Sequence, residues 1–130
     1  IPYHFSVTTG SDRDAGTSSR VYVIIIGKKN KQTERLWLDL DGKNAFLPGS
    51  LDYFTCYGTD VGDIKKVELG HDGATPESCW LVGELTVDVP TKAVRYVFPC
   101  KCWLAKDRGD GLTARFLDVQ DAETVNIPQK

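Results

Sequence analysis

Val21-Tyr22-Val23-Ile24-Ile25-Ile26 is a short, unbroken apolar run, which predicts a β-strand covered on both faces. Immediately before it stands Thr9-Gly10-Ser11-Asp12-Arg13-Asp14-Ala15-Gly16-Thr17. Further upstream, Tyr3, Phe5 and Val7 alternate with His4, Ser6 and Thr8, the period of a half-buried strand. The middle stretch is therefore a loop between two strands. Asp12 and Asp14 offer hard oxygen donors, and Gly10 and Gly16 let the backbone turn its carbonyls inward. A Ca²⁺ site at the end of a β-sandwich begins this way. An ordinary polar turn uses the same residues, because Asp and Gly suit turns for conformational reasons alone.

Alternation continues through the rest of the chain. Leu36, Leu38 and Leu40 alternate with Trp37 and Asp39, and residues 51–57 alternate again. Val67 and Leu69, then Leu85, Val87 and Val89, then Val94, Tyr96 and Phe98 mark further strands, with Cys100 to Leu104 and a last strand near 112–119. Polar turns separate them, among them Lys28-Lys29-Asn30-Lys31, Asp41-Gly42-Lys43-Asn44 and His71-Asp72-Gly73. About eight short strands with regular turn signals and no amphipathic helix predict an antiparallel β-sandwich of two sheets. One domain is expected over 1–120, with 121–130 losing the alternation as the start of a linker.

At 130 residues, 41% hydrophobic and 26% charged, the composition is that of a globular domain. A net charge of −2 makes no case for nucleic acid. No apolar run approaches the ~20 residues of a membrane helix. A chain that starts at Ile1 and contains no Met reads as a piece of a larger protein or a processed one. Cys56, Cys79, Cys100 and Cys102 form no C-x-x-C pair, and His4 and His71 have no zinc-ligand spacing. Cys100 and Cys102 stand too close in sequence for an easy mutual bridge. Reduced, mostly buried thiols are the expectation, and they point to the cytosol. No nucleophile elbow, phosphate loop or zinc-hydrolase spacing is present, so no catalysis is expected.

A set of short strings, in order, resembles the PLAT domain (polycystin, lipoxygenase, alpha-toxin), or lipoxygenase-homology domain. These are Val7-Thr8-Thr9-Gly10, Ala15-Gly16-Thr17-Ser18-Ser19, Phe46-Leu47-Pro48-Gly49, Asp60-Val61-Gly62-Asp63-Ile64, Cys79-Trp80-Leu81 and Phe98-Pro99-Cys100-Lys101-Cys102-Trp103-Leu104. Together they cover almost the whole chain, and the tail Trp103 to Gly111 is similar to that of a repeat from a tandem-PLAT array. The resemblance implies an eight-stranded sandwich of two four-stranded sheets with no catalysis of its own. It implies Ca²⁺ held in the end loops by Asp14, Gly16, Asp41, Asn44 and Asp72. The partners implied are membrane lipid or a membrane-associated protein and neighbouring PLAT repeats. The location implied is the cytoplasmic side of the plasma membrane, in stereocilia. A calcium-independent scaffold repeat is the alternative.

Lys28, Lys29 and Lys31 form a small basic turn, and each lysine adds about 1 kcal/mol near an anionic leaflet. Trp37 points opposite to Leu36 and Leu38, so it joins them as a candidate membrane contact, indole being suited to the polar–apolar boundary. The same residues also read as a solvated turn and a packed aromatic. Trp80 and Trp103 are expected in the core or at its edge, and Phe46 as a plug in the end of the sandwich.

Overall fold

The computed structural model describes residues 1–11, 16–17, 20–38, 46–72, 79–105 and 112–124. Among these residues the chain forms β1 (Pro2–Thr9), β2 (Val21–Gly27), β3 (Leu36–Leu38), β4 (Leu51–Tyr57) and β5 (Ile64–His71). β6 (Leu81–Val89), β7 (Val94–Trp103), β8 (Ala114–Asp118) and β9 (Asp121–Thr124) follow. Single 3₁₀ turns at Lys28–Asn30 and Pro90–Lys92 are the described helical segments. Every strand pairing is antiparallel. One sheet runs β4-β1-β6-β7-β9 and the other β3-β2-β5-β8.

The eight-stranded sandwich is present in β1–β8, four strands to each sheet, and β9 adds an edge strand beside β7. β9 occupies residues that sequence alone assigns to a linker. Its register runs from Val97↔Asp121 to Val94↔Thr124. Edge pairing is made by backbone N–H and C=O groups, so it leaves no apolar alternation to read. Leu40, expected as the third inward leucine after Leu36 and Leu38, lies outside the described residues.

The period-two pattern sorts side chains between core and surface. Tyr3, Phe5 and Val7 of β1 face Val21, Val23 and Ile25 of β2 across the core, which Val67, Leu69, Leu85, Val87, Tyr96 and Phe98 complete. Each such burial contributes roughly 1.5–3 kcal/mol before chain entropy is set against it. β2 is an interior strand, and its outer face is also covered, with Tyr22 and Ile26 buried. That accounts for the unbroken apolar run.

One expectation about the thiols needs correcting. None of the four cysteines is in a disulfide, and all are half-buried rather than enclosed. The Sγ atoms of Cys100 and Cys102 lie 2.7 Å from each other. The register of β6 and β7 shifts between Val82↔Cys102 and Glu84↔Pro99, so β7 carries one extra residue there. Such a bulge bends the strand and draws the two thiols together.

Antiparallel order divides the connections by parity. Segments leaving β1, β3, β5 and β7 gather at one end of the sandwich, called here the loop end. Those leaving β2, β4 and β6 gather at the other.

Candidate functional site

The loop end is built on Trp80, which is fully buried and donates its indole N–H to Thr9 Oγ1 at 3.0 Å. Phe46 packs edge-on against Trp80, with centroids 4.9 Å apart, and stacks on Phe54 at 5.3 Å. Phe46 is 4% exposed, so it plugs the end of the sandwich as expected. Its φ of +58° is left-handed, a conformation that costs a non-glycine residue about 1 kcal/mol or more. Asp52 helps to hold it there. One carboxylate oxygen accepts from the Phe46 N–H at 2.9 Å and from Ser50 Oγ at 2.8 Å. Asp52 is a positioning residue that the sequence reading missed; its signal was the polar turn Pro48-Gly49-Ser50 just before it.

Gly16 joins the first loop to the second. A Cβ at this position would fall 2.6 Å from the Phe46 carbonyl oxygen and 2.8 Å from Pro48 Cδ. The next residue, Thr17, donates its N–H to the same Phe46 oxygen at 3.0 Å. The glycine is thus required by close approach of two backbones. Gly49 N–H donates to the Gly10 carbonyl at 2.8 Å and ties the two loops a second time.

Asp72 is exposed and stands just after β5. Its N–H donates to the Arg20 carbonyl at 2.9 Å, and its Oδ1 accepts from the Arg20 N–H at 3.2 Å. The carboxylate therefore satisfies a backbone donor through Oδ1. On the adjoining segment, His71 is buried and its Nε2 lies 2.7 Å from the Leu104 carbonyl. A carbonyl only accepts, so Nε2 carries the proton in this pair. Leu104 N–H donates in turn to the Trp80 carbonyl at 2.8 Å.

Of the expected Ca²⁺ ligands, Gly16 and Asp72 are both at the loop end, while Asp14, Asp41 and Asn44 lie outside the described residues. No group of three or more His, Cys, Asp or Glu side chains suited to a metal occurs among the described residues. The donors in question are carboxylate, amide and backbone oxygens, the set that suits Ca²⁺ and not a soft metal. Leu47 and Leu112, at 50% and 53% exposure, also stand at this end. Neither was picked out as a contact residue from sequence.

The basic turn is at the opposite end. Lys28, Lys29 and Lys31 are exposed where β2 passes to β3, beside the acidic turn 60–63. Lys28 Nζ lies 3.3 Å from Asp63 Oδ2, and Lys92 Nζ lies 2.6 Å from Asp60 Oδ1. The hydrogen bond from Lys92 lowers the Asp60 pKa, helped by the Gly62 N–H and more weakly by the charge of Lys31.

Trp37 pairs with Tyr22 in the part of β3 that adjoins the loop end. It lies on the outer face of the four-stranded sheet, half-buried in a ladder. The Arg20 guanidinium sits 4.1 Å over its ring, and the ring meets Tyr22 edge-on at 5.6 Å. Arg35 covers Tyr22 at 4.4 Å, and the Tyr22 hydroxyl donates to Glu68 Oε2. Burial, then the hydrogen bond to Glu68 and its charge, push the Tyr22 pKa up to about 12.

This architecture defines an all-β sandwich domain whose loops converge at one end on an aromatic plug, with hard oxygen donors and exposed leucines around it. Residues 3–117 match the PLAT/LH2 domain, and the chain belongs to that family. It is similar to lipoxygenase homology domain-containing protein 1 of Homo sapiens, 55% identical over 131 residues, which is 100% of this chain and 6% of that protein. It is 36% identical over 108 residues to the allene oxide synthase-lipoxygenase protein of Plexaura homomalla, covering 81% of this chain and 10% of that one. Among solved structures, coral 8R-lipoxygenase, described as calcium-activated via a C2-like domain, superposes with a TM-score of 0.78 at 31% identity. That superposition covers 92% of this chain and 17% of the enzyme. The chain spans only a small fraction of the length of the curated relatives it matches.

Proposed function

We propose that this chain is a non-catalytic docking module that sets its loop end on a lipid membrane with the help of Ca²⁺. Leu47 carries the reading. It is half exposed beside the buried Phe46, on a turn held by Asp52 and by close packing of Gly16. A leucine fixed outward on an ordered turn loses little freedom on insertion, so most of its transfer energy, about 1.5–3 kcal/mol, remains for binding. Leu112 adds a second apolar contact at the same end. Asp14, Asp41 and Asp72 would hold the ion with the Asn44 amide oxygen and the Gly16 carbonyl. Bound Ca²⁺ would supply the positive charge that lets these carboxylates approach an anionic surface. Calcium activation in coral 8R-lipoxygenase, through a domain that this chain resembles, is consistent with that role. An anionic leaflet is the cytoplasmic one, so the module would work at the inner face of the plasma membrane.

Lys28, Lys29 and Lys31 have no part in this pose. Strands of seven or eight residues separate the lysine turn from the loop end, a span of roughly 25 Å. Membrane attraction at physiological salt decays over about 8 Å.

A second reading rests on β4. Leu51, Tyr53 and Tyr57 are 51%, 66% and 75% exposed along one face of this edge strand. A protein partner, either a membrane-associated protein or a neighbouring PLAT domain, would bury that face without calcium.

Sedimentation with phosphatidylcholine–phosphatidylserine vesicles decides between them. Calcium-dependent pelleting that Leu47→Asp weakens about tenfold or more is the expected result. Pelleting that ignores both chelator and Leu47→Asp, or no pelleting at all, would overturn the membrane reading. At about 100 times its dissociation constant, Ca²⁺ should stabilise the fold by about 2.7 kcal/mol. That corresponds to a rise in the thermal midpoint of roughly 5–10 °C, which Asp14→Ala abolishes.

A further inference from the structure

Cys100 and Cys102 flank Lys101, which has a φ of +52° and sits at the bulge of β7. In a regular strand, side chains two residues apart share a face with their Cβ atoms about 6.6 Å apart, beyond the roughly 3.5–4.5 Å of a disulfide. The left-handed turn at Lys101 shortens this separation until the sulfurs are 2.7 Å apart. That is well inside ordinary sulfur–sulfur contact and only about 0.7 Å longer than a disulfide bond. Both thiols are half-buried, so small oxidants can reach them. No zinc-type ligand set surrounds them among the described residues.

We propose that Cys100 and Cys102 form a redox-active dithiol that closes to an intrastrand disulfide under a peroxide and reopens under a thiol reductant. The Cys102 sulfur, as thiolate, attacks one peroxide oxygen. The O–O bond breaks, hydroxide leaves and takes up the proton released by Cys102, and Cys102 becomes a sulfenic acid. The Cys100 sulfur then attacks the Cys102 sulfur. The S–S bond forms, the S–O bond breaks, and the departing hydroxide leaves as water with the Cys100 proton. Two thiols and one peroxide give one disulfide and two waters, with two electrons passing from sulfur to oxygen. Burial, then the hydrogen bond with the neighbouring Cys102, pushes the Cys100 thiol up to about 12, so Cys100 ionises less readily and is written as the second to react; the same balance holds with the two sulfurs exchanged.

The bond would also reach the loop end. Cys102 lies two residues before Leu104, which links Trp80 and the buried His71. Closing the disulfide fixes the bulge from which that link departs. This proposal does not depend on membrane binding and stands or falls separately.

The test is to treat the chain with stoichiometric hydrogen peroxide, denature it, alkylate the remaining thiols, and map peptides by mass spectrometry. The expected result is loss of alkylation at Cys100 and Cys102 together, with a spanning peptide lighter by two hydrogens and restored by dithiothreitol. Cys56→Ser and Cys79→Ser should leave that result intact, and Cys102→Ser should abolish it. Both cysteines staying alkylatable would overturn the proposal, as would a bridge to Cys56 or Cys79. So would conversion to sulfinic acid without a bridge. Peptide mapping of the unaltered chain separates these outcomes even where a serine variant fails to fold.

Discussion

Tyr22 shows how one side chain can serve packing and electrostatics together. It lies flat across the outer face of the four-stranded sheet because Gly70 leaves room. A Cβ on Gly70 would come within 3.0 Å of the Tyr22 hydroxyl and 2.7 Å of Ala114 Cβ. The hydroxyl reaches Glu68, and the ring holds Trp37 and Arg35. Its pKa is raised from the ordinary value near 10 to about 12, so the folded state prefers the protonated phenol. This stability is fully present below about pH 10 and is lost as pH rises through about 12, where a phenolate would face the Glu68 carboxylate. Urea unfolding across this alkaline range should show that loss in the unaltered chain and a smaller loss in Tyr22→Phe, with Tyr3 and Cys100, also raised, supplying the remainder. Sequence displayed Tyr22 only as one letter in an apolar run. Its partners Glu68 and Gly70 are more than forty residues away, and no local pattern connects them.

At the level of elements, described residues of the first two loops are held to one another. Gly16 against Phe46 and Pro48, and Gly49 against Gly10, make the first two loops a single unit. Gly16→Ala should therefore cost about 1–3 kcal/mol through overpacking against backbone. It should also weaken calcium-dependent vesicle binding, because the turn that presents Leu47 must shift. Denaturant midpoints and sedimentation on the same variant read both effects. Strands were legible because a period of two survives any choice of partner. The plug Phe46 and the basic turn at 28–31 were legible too. Of the loop ligands, Gly16 and Asp72 fall at the loop end as read, and Asp14, Asp41 and Asn44 lie outside the described residues; which way a loop carboxylate points is not written in the sequence, since a one-residue change in backbone turn redirects it. β9 was illegible for a different reason: Asp121-Ala122-Glu123-Thr124 carries no apolar alternation.

Across the whole molecule, the two surfaces proposed from sequence for one membrane face are at opposite poles. Replacing Lys28, Lys29 and Lys31 together by glutamate should leave vesicle pelleting unchanged, whereas Leu112→Asp should weaken it. A fall in pelleting with the lysine triple variant would mean that the molecule docks by its other end. This polarity is implicit in the order of the strands along the chain. In an antiparallel chain, the turn after β2 must lie opposite the turn after β1, and only the count of strands is needed to see it. The covering of Trp37 by Arg20 is not implicit in that order, because it depends on how the residue before β2 leaves the loop end.

The parity that separates these poles has a mechanical consequence. Ile1 is tied to Gly58, just past the end of β4, and Thr124 lies opposite Val94 at the start of β7. Both ends of the described chain thus emerge from the pole away from the loops. Tension applied through flanking polypeptide would enter and leave at that pole without crossing the loop end. It would meet β9 as a zipper, its bonds to β7 opening one at a time from Thr124 inward. The domain would respond to stretch by shedding its edge strand at low force while the eight-stranded body, and the loops it carries, remain folded.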